Sequence, residues 1–266
     1  MANVSGSNGY GNPIDLLTKS TIDELIANCD TYPDKFLPWI KGRHTLVPGM
    51  YDLGSHPVIV KEVSKTLGND VILWSSQIIR QSPSVIHRWH IDVEMARWPG
   101  LTVWVGMKNV TSNSLKLISG SHNFGISPQE LAERDRIDLK NDAQVLAAAQ
   151  KIDPSSKLIE VDIKDGQFII FSGLVWHATQ NVSDAVRTAM IFQYTTPEHK
   201  LFIPQNNHYP NTKYSSLQPD CILVKGKDDF KYNNLIKRSY SGSWKAILKT
   251  FLVHLPHNIY RKLFIR

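Results

Sequence analysis

Two histidines and one aspartate have the residue types and spacing of metal ligands. His90 and Asp92 lie two residues apart in HRWHID, and His177 follows far downstream in SGLVWHATQ. Side chains two residues apart on an extended segment point to the same side, so His90 and Asp92 can converge on one point. Two imidazoles and one carboxylate on one face of an octahedron leave three positions open, which is the arrangement of non-haem Fe(II) oxygenases.

Zinc hydrolases can use the same donors, and Arg187 favours the iron alternative. It lies ten residues after His177, at the start of the strand-like segment RTAMIFQYT. An inward-facing guanidinium is unfavourable unless it meets an anion, and its fork matches a carboxylate. A 2-oxo diacid bound to iron would extend its distal carboxylate to such an arginine, whereas a zinc hydrolase does not need one. A metal-dependent hydrolase and a non-catalytic metal-binding jelly-roll scaffold remain the alternatives.

The elements that must position these residues are mostly strands. The hydrophobic pattern predicts helices over 20–30 and 56–68, followed by strands over 71–81, 101–110, 115–122, 157–163, 167–173 and 187–195. Ser127 and Glu130 form a capping box around Pro128, which predicts a helical insertion over 127–150 that we interpret as a lid. The order favours an antiparallel sheet pair with helices outside it. The predicted fold is mainly β with flanking helices, a double-stranded β-helix of the cupin-like jelly-roll type.

At these residues the sequence resembles the phytanoyl-CoA dioxygenase family of Fe(II)/2-oxoglutarate-dependent oxygenases. The resemblance covers residues 70–195 and rests on His90-x-Asp92, His177, Arg187, Trp104 and Gly120-Ser121-His122. It implies that His90, Asp92 and His177 hold Fe(II) and that Arg187 binds the distal carboxylate of 2-oxoglutarate.

The resemblance also implies two further co-substrate contacts, Trp104 and Gln77. Glu94 continues the face of His90 and Asp92 and is a candidate substrate contact. Related halogenases have Ala or Gly at the position of Asp92, so its carboxylate favours oxygenation. The hypothesis is a dioxygenase that uses Fe(II), 2-oxoglutarate and O2. It would hydroxylate or otherwise oxidise a C–H bond of a small-molecule, lipid-type or sugar-type substrate, giving succinate and CO2.

Charge and composition limit the other partners. The net charge of +6 belongs to the C-terminal tail, since residues 230–266 contain eight Lys/Arg and no Asp/Glu, whereas the rest has 22 against 24. Without a nucleic-acid-binding pattern in the body, we expect no nucleic-acid partner. Two distant cysteines and the lack of a secretory signal or membrane span predict a cytoplasmic protein.

The predicted organisation is a flexible lead-in over 1–18, the oxygenase domain over 19–225 and a basic amphipathic helical segment over 226–266. In that last segment Trp244, Ile247, Leu248, Phe251 and Leu252 recur at helical spacing. We favour packing of this helix on the domain or on a second subunit, with peripheral membrane contact as the alternative. A homo-oligomer is left open.

Overall fold

The computed structural model describes residue 4 and residues 8–32, 39–92, 98–204 and 217–236. The strands are β1 (Ile14–Asp15), β2 (Val71–Gln81), β3 (Ile86–His90), β4 (Leu101–Lys108), β5 (Leu115–Ile118), β6 (Leu158–Glu160), β7 (Gln167–Ser172), β8 (His177–Gln180), β9 (Arg187–Thr195), β10 (Asp220–Lys225) and β11 (Asn234–Leu235). The helices are α1 (Lys19–Asp30), α2 (Pro48–Gly54), α3 (Pro57–Leu67), α4 (Pro128–Asp135) and α5 (Asp142–Ile152), with short 3-10 turns at Arg43–Thr45 and Ser121–Asn123.

The chain divides into two compact units, Met1–Lys19 with Ile78–Ile191, and Ser20–Gln77 with Phe192–Arg266. The domain boundaries expected from the sequence, after residues 18 and 225, stay predictions. Residues 226–236 contain the short strand β11, and the predicted amphipathic helix of the tail lies outside the described residues. None of the described helices combines the length and the hydropathy that crossing a membrane requires.

Two sheets form the first unit. In the larger sheet the strand order is β1, β7, β4, then the first part of β9 and the last part of β2. The smaller sheet has the order β3, β8, β5, β6, and its neighbouring strands pair antiparallel. Apolar side chains from both sheets meet in one core, made by Trp104, Leu115, Leu117, Val161, Ile163, Ile169, Phe171, Val175 and Ala189. The predicted antiparallel sheet pair is therefore present.

The helical insertion packs against the back of the smaller sheet. The predicted helix over 127–150 is two helices, α4 and α5, and the capping box of Ser127 and Glu130 begins the first of them as predicted. Their buried residues join the cluster of Trp89, Ile91, Ile118, Leu131, Val145, Ala148, Ala149, Trp176 and Ala178. Trp89 neighbours His90 in β3 and so points to the opposite face. These contacts place the insertion on the face of the smaller sheet that carries Trp89, opposite the face that carries His90. They do not support its interpretation as a lid.

The second unit contains α2, α3, β10, β11, the first part of β2 and most of α1. β10 pairs antiparallel with β2 and parallel with β11. The sequence did not predict helix α2. Its last residue, Gly54, lies close to the Leu73 side chain because glycine has no side chain of its own. A Cβ there would lie 2.6 Å from the Leu73 side chain, and the Gly54 carbonyl accepts the Tyr194 hydroxyl at 2.8 Å. Cys29 and Cys221 are buried thiols.

Candidate active site

The two histidines are direct neighbours across two strands. β3 and β8 pair antiparallel, and His90 is the register partner of His177. Directly opposed residues on one face of an antiparallel pair have Cβ atoms about 5 Å apart. The imidazole centroids accordingly lie 4.1 Å apart. This register is what unites two ligands that are distant in sequence.

Asp92 follows β3 and is held by two other segments. Its backbone N–H donates to the Gly173 carbonyl at 3.0 Å, and its Oδ2 atom accepts a short hydrogen bond from the Thr102 hydroxyl. Its Oδ1 atom lies 3.5 Å from Nε2 of His177. Ligand atoms of His90, Asp92 and His177 all lie within 4.8 Å of one another, so the three side chains can share a single cation.

Both imidazoles have Nε2 available as the electron-pair donor for the shared cation. The Nδ1 atoms of His90 and His177 each lie 2.8 Å from a backbone carbonyl, of Arg88 and Val175 respectively. A carbonyl only accepts, so each Nδ1 carries the hydrogen and each Nε2 is free to bind metal. Burial, and then the neighbouring His177 and His87 rings, hold the pKa of His90 well below its usual range. The neutral, metal-binding form is thereby favoured.

Arg187 is buried at the start of β9, with 1% of its surface exposed. Its Nη1 donates to the Ser114 carbonyl at 3.0 Å, its Nη2 donates to Oε1 of Gln81, and its Cζ lies 5.4 Å from the ring centroid of Trp104. Burial lowers the pKa of Arg187 to about 10, so the group stays charged at neutral pH. Within the described part of the chain, no carboxylate forms an ion pair with it.

Two buried donors in this region fit an anionic ligand. Among the described residues, Arg187 Nε and Trp104 Nε1 have no hydrogen-bond partner. A buried donor without an acceptor is unfavourable unless a ligand or water supplies one. The His–Asp–His donor set suits Fe(II), and an uncompensated guanidinium beside an unpaired indole N–H suits the distal carboxylate of a dicarboxylic co-substrate.

The remaining predicted residues have different outcomes. Gln77 is partly buried on β2 in the second unit, and its assigned contact with the co-substrate stays a prediction. Glu94 lies outside the described residues. Sequence reasoning passed over Gln81, the glutamine that contacts Arg187. Strand periodicity was an available signal, because Gln81 and Gln77 are four residues apart and share a face.

His87 corrects one inference from strand periodicity. It lies three positions before His90, and simple alternation predicts that it faces away. The pairing of β3 with β8 shifts by one residue between His87 and His90, which is a β-bulge. One extra residue reverses the alternation, and the His87 and His90 rings meet edge to face at 4.5 Å.

A comparison with protein families decides the identity. The model of the phytanoyl-CoA dioxygenase (PhyH) family matches residues 40–189, which is more than half of the chain. The chain belongs to the phytanoyl-CoA dioxygenase family. With its His90–Asp92–His177 cluster, this family member is an Fe(II)- and 2-oxoglutarate-dependent dioxygenase. No curated protein sequence matches it.

Solved structures show the fold that this PhyH-family chain shares. It is similar to the non-heme monooxygenase ThoJ in its apo form, with a TM-score of 0.68, 19% identity, and coverage of 96% of this chain and 94% of that chain. CytC3 with Fe(II) and alpha-ketoglutarate has a TM-score of 0.62 and 15% identity, covering 88% and 90%. The alpha-ketoglutarate-dependent carbocyclase SnoK from nogalamycin biosynthesis has 0.51 and 20%, covering 73% and 82%. The predicted mainly β jelly roll with flanking helices is confirmed.

Proposed function

We propose that this dioxygenase hydroxylates, or otherwise oxidises, a C–H bond of a small organic substrate of lipid or sugar type, while 2-oxoglutarate is converted to succinate and CO2. The observation that carries the proposal is the carboxylate of Asp92 beside His90 and His177, since a halogenating site would lack that ligand. Among the structural relatives, ThoJ is described as a monooxygenase and SnoK as an enzyme of nogalamycin biosynthesis, which supports a small-molecule substrate.

Different residues of the chain would bind the metal, bind the co-substrate and exclude water. Fe(II) with 2-oxoglutarate supplies the oxidising power for a C–H bond when O2 is present. His90, Asp92 and His177 would hold the metal through three ligand atoms on one side, which leaves the other side for the co-substrate and O2. Arg187 and Trp104 would hold the distal carboxylate. Phe171, whose ring centroid lies 5.0 Å from that of His177, keeps one flank of the ligands apolar.

Anaerobic titration tests the co-substrate step. Fe(II) followed by 2-oxoglutarate should produce a metal-to-ligand charge-transfer band, and admission of O2 with panels of acyl, terpenoid and sugar-type compounds should then give succinate in proportion to an oxidised product. Turnover of a substrate without O2 or 2-oxoglutarate would favour the hydrolase alternative. A protein that binds both without succinate formation on any panel would favour the scaffold alternative.

Arg187 provides the residue-level test. Arg187→Ala should weaken the binding of 2-oxoglutarate far more than the binding of Fe(II), because it removes the cation for the distal carboxylate and leaves the ligands intact. Arg134→Ala is the matched control, since this exposed arginine of α4 forms an ion pair with Asp135. Normal coupling of Arg187→Ala at ordinary co-substrate concentrations would show that the assignment is wrong.

A further inference from the structure

We infer that Gln81 is a positioning residue for co-substrate binding: it fixes the guanidinium of Arg187 through a neutral acceptor and so leaves the positive charge available to the distal carboxylate. This inference rests on the proposed function, in which Arg187 binds that carboxylate. It adds the residue that decides where the guanidinium lies and whether it stays uncompensated.

The side-chain amide of Gln81 has only one favourable orientation. Its Nε2 donates to the Val85 carbonyl at 2.6 Å and also points at the Thr179 carbonyl at 3.5 Å. Both partners only accept, so the NH2 group must face them and Oε1 must face Arg187. If the amide were flipped, its NH2 group would face the N–H groups of the guanidinium, and its oxygen would face the two carbonyl oxygens. Gln81 is 5% exposed, so water does not replace these contacts readily.

The backbone at Gln81 is fixed to the turn that precedes Arg187. The buried Asn181 side chain donates through Nδ2 to the Gln81 carbonyl at 2.7 Å and to the Ala185 carbonyl at 2.8 Å. One amide thus ties the end of β2 to the segment that leads into β9. The amide of Gln81 and the guanidinium of Arg187 are therefore held from both sides of their hydrogen bond.

Because the side chain of Gln81 is neutral, it leaves the positive charge of Arg187 uncompensated. The two acceptors of Arg187 are an amide oxygen and the Ser114 carbonyl, and neither compensates the cation. A carboxylate at position 81 would form a buried ion pair with Arg187 and compete with the co-substrate. An uncompensated cation in a site of low dielectric instead attracts a dianionic co-substrate over a monoanionic one.

Binding measurements on two co-substrates test this inference. The probes are 2-oxoglutarate and 2-oxopentanoate, which has a methyl group in place of the distal carboxylate. Their dissociation constants are measured anaerobically on Fe(II)-loaded full-length protein by the charge-transfer band, together with Fe(II) affinity and thermal midpoint. The variants are Gln81→Met, which keeps the length without the hydrogen bonds, and Gln81→Glu, which adds the competing charge. Gln180→Leu is the control, because Gln180 accepts from Lys116 on the opposite face of the smaller sheet.

The expected result is a loss of discrimination. A hydrogen bond to a charged group corresponds to about tenfold in binding, so Gln81→Met should weaken 2-oxoglutarate about tenfold and leave 2-oxopentanoate nearly unchanged. The ratio of the dissociation constant of 2-oxopentanoate to that of 2-oxoglutarate should fall further in Gln81→Glu. Gln180→Leu should not change this ratio. Should Gln81→Met fail to fold, Gln81→Glu carries the test: it keeps the shape of the side chain and its contact with Arg187, although one carboxylate oxygen then faces the Val85 carbonyl.

Two results would overturn the inference. One is an unchanged ratio in a folded, Fe(II)-binding Gln81 variant. The other is equal weakening of both acids, which indicates general damage. Failure of the proposed function looks different, because the wild-type protein itself would then not distinguish 2-oxoglutarate from 2-oxopentanoate.

Discussion

The Nε2 atom of His177 lies 3.5 Å from the Oδ1 atom of Asp92, and three different segments maintain that distance. β8 supplies the imidazole, whose Nδ1 is fixed on the Val175 carbonyl. The aspartate is anchored through its backbone to Gly173 and through its carboxylate to Thr102 on β4. The orientation of these metal ligands therefore rests on hydrogen bonds within the protein.

Replacing Thr102 by valine should weaken metal binding. Val keeps the shape of the buried threonine and removes the hydroxyl that orients Oδ2 of Asp92. Loss of a hydrogen bond to a metal ligand lowers affinity by about 10- to 100-fold, and we expect Fe(II) affinity to fall by that order. Thr45→Val is the control, since it removes a buried hydroxyl that donates to the Gly42 carbonyl in the second unit. Equal Fe(II) affinities of Thr102→Val and wild type in anaerobic titrations would contradict the orienting role.

The bulge in β3 predicts a measurable contribution from His87 to the metal site. Edge-to-face ring pairs contribute about 1 kcal/mol, so His87→Ala should lower Fe(II) affinity severalfold by loosening the His90 ring. His87→Phe retains a ring and should remain near wild type. Fe(II) titration of both variants checks this, with His56→Ala, at the partly buried N-cap of α3 in the second unit, as control. A stronger loss in His87→Phe than in His87→Ala would show that ring contact is not the cause.

Asp142 on α5 and Lys116 on β5 form an ion pair, and we expect their contributions to stability to be coupled. Asp142 accepts from Trp89 Nε1 at 2.9 Å and pairs with the buried Lys116 at 2.5 Å. Asp142→Ala leaves the lysine without its carboxylate, and we expect the free energy of unfolding to fall by about 2 kcal/mol. Adding Lys116→Met should recover part of this loss, because the buried charge is then absent.

Chemical denaturation of the two single variants and the double variant measures that coupling. Arg134→Ala, which breaks an exposed pair with Asp135, is the control and should leave the free energy of unfolding nearly unchanged. Strictly additive effects of Asp142→Ala and Lys116→Met would show that the two side chains do not interact in solution.

His44 predicts how the stability of the metal-free protein depends on pH. Its Nε2 lies 3.0 Å from the Asp220 carbonyl and its Nδ1 3.0 Å from the Ser76 hydroxyl, so the buried ring is held neutral between an acceptor and a donor. Burial lowers its pKa from 6.5 to about 4, although contacts with Asp220 act in the opposite direction. The unfolded chain therefore binds the proton first as the pH falls.

The stabilising contribution of neutral His44 is complete above pH 6.5 and is lost as the pH falls from 6.5 to about 4. Its full size is about 3 kcal/mol. His44→Gln should accordingly lose less stability than wild type between pH 7 and 4.5, measured by urea denaturation midpoints. Parallel slopes for wild type and His44→Gln would contradict the buried neutral ring.

Local patterns in the sequence determined the chemistry of this site and most of its strands. The hydrophobic pattern over 71–81 and 187–195 predicted β2 and β9 at their observed bounds. The types of His90, Asp92, His177 and Arg187 were sufficient to propose Fe(II) and a dicarboxylic co-substrate. These features depend on neighbouring residues and on the donor atoms of single side chains, which a sequence contains in full.

The tertiary structure decided what depends on pairing between distant segments. The register of β3 against β8 places His90 opposite His177, and the bulge in that register turns His87 toward the ligands. The outward face of the smaller sheet, not the mouth of the site, receives α4 and α5. The contact of Gln81 with Arg187 joins β2 to β9, which are neighbours in the larger sheet. Cross-strand hydrogen bonds fix register and parity, and a shift of one residue reverses the side of every side chain beyond it, so periodicity along a single strand cannot determine them.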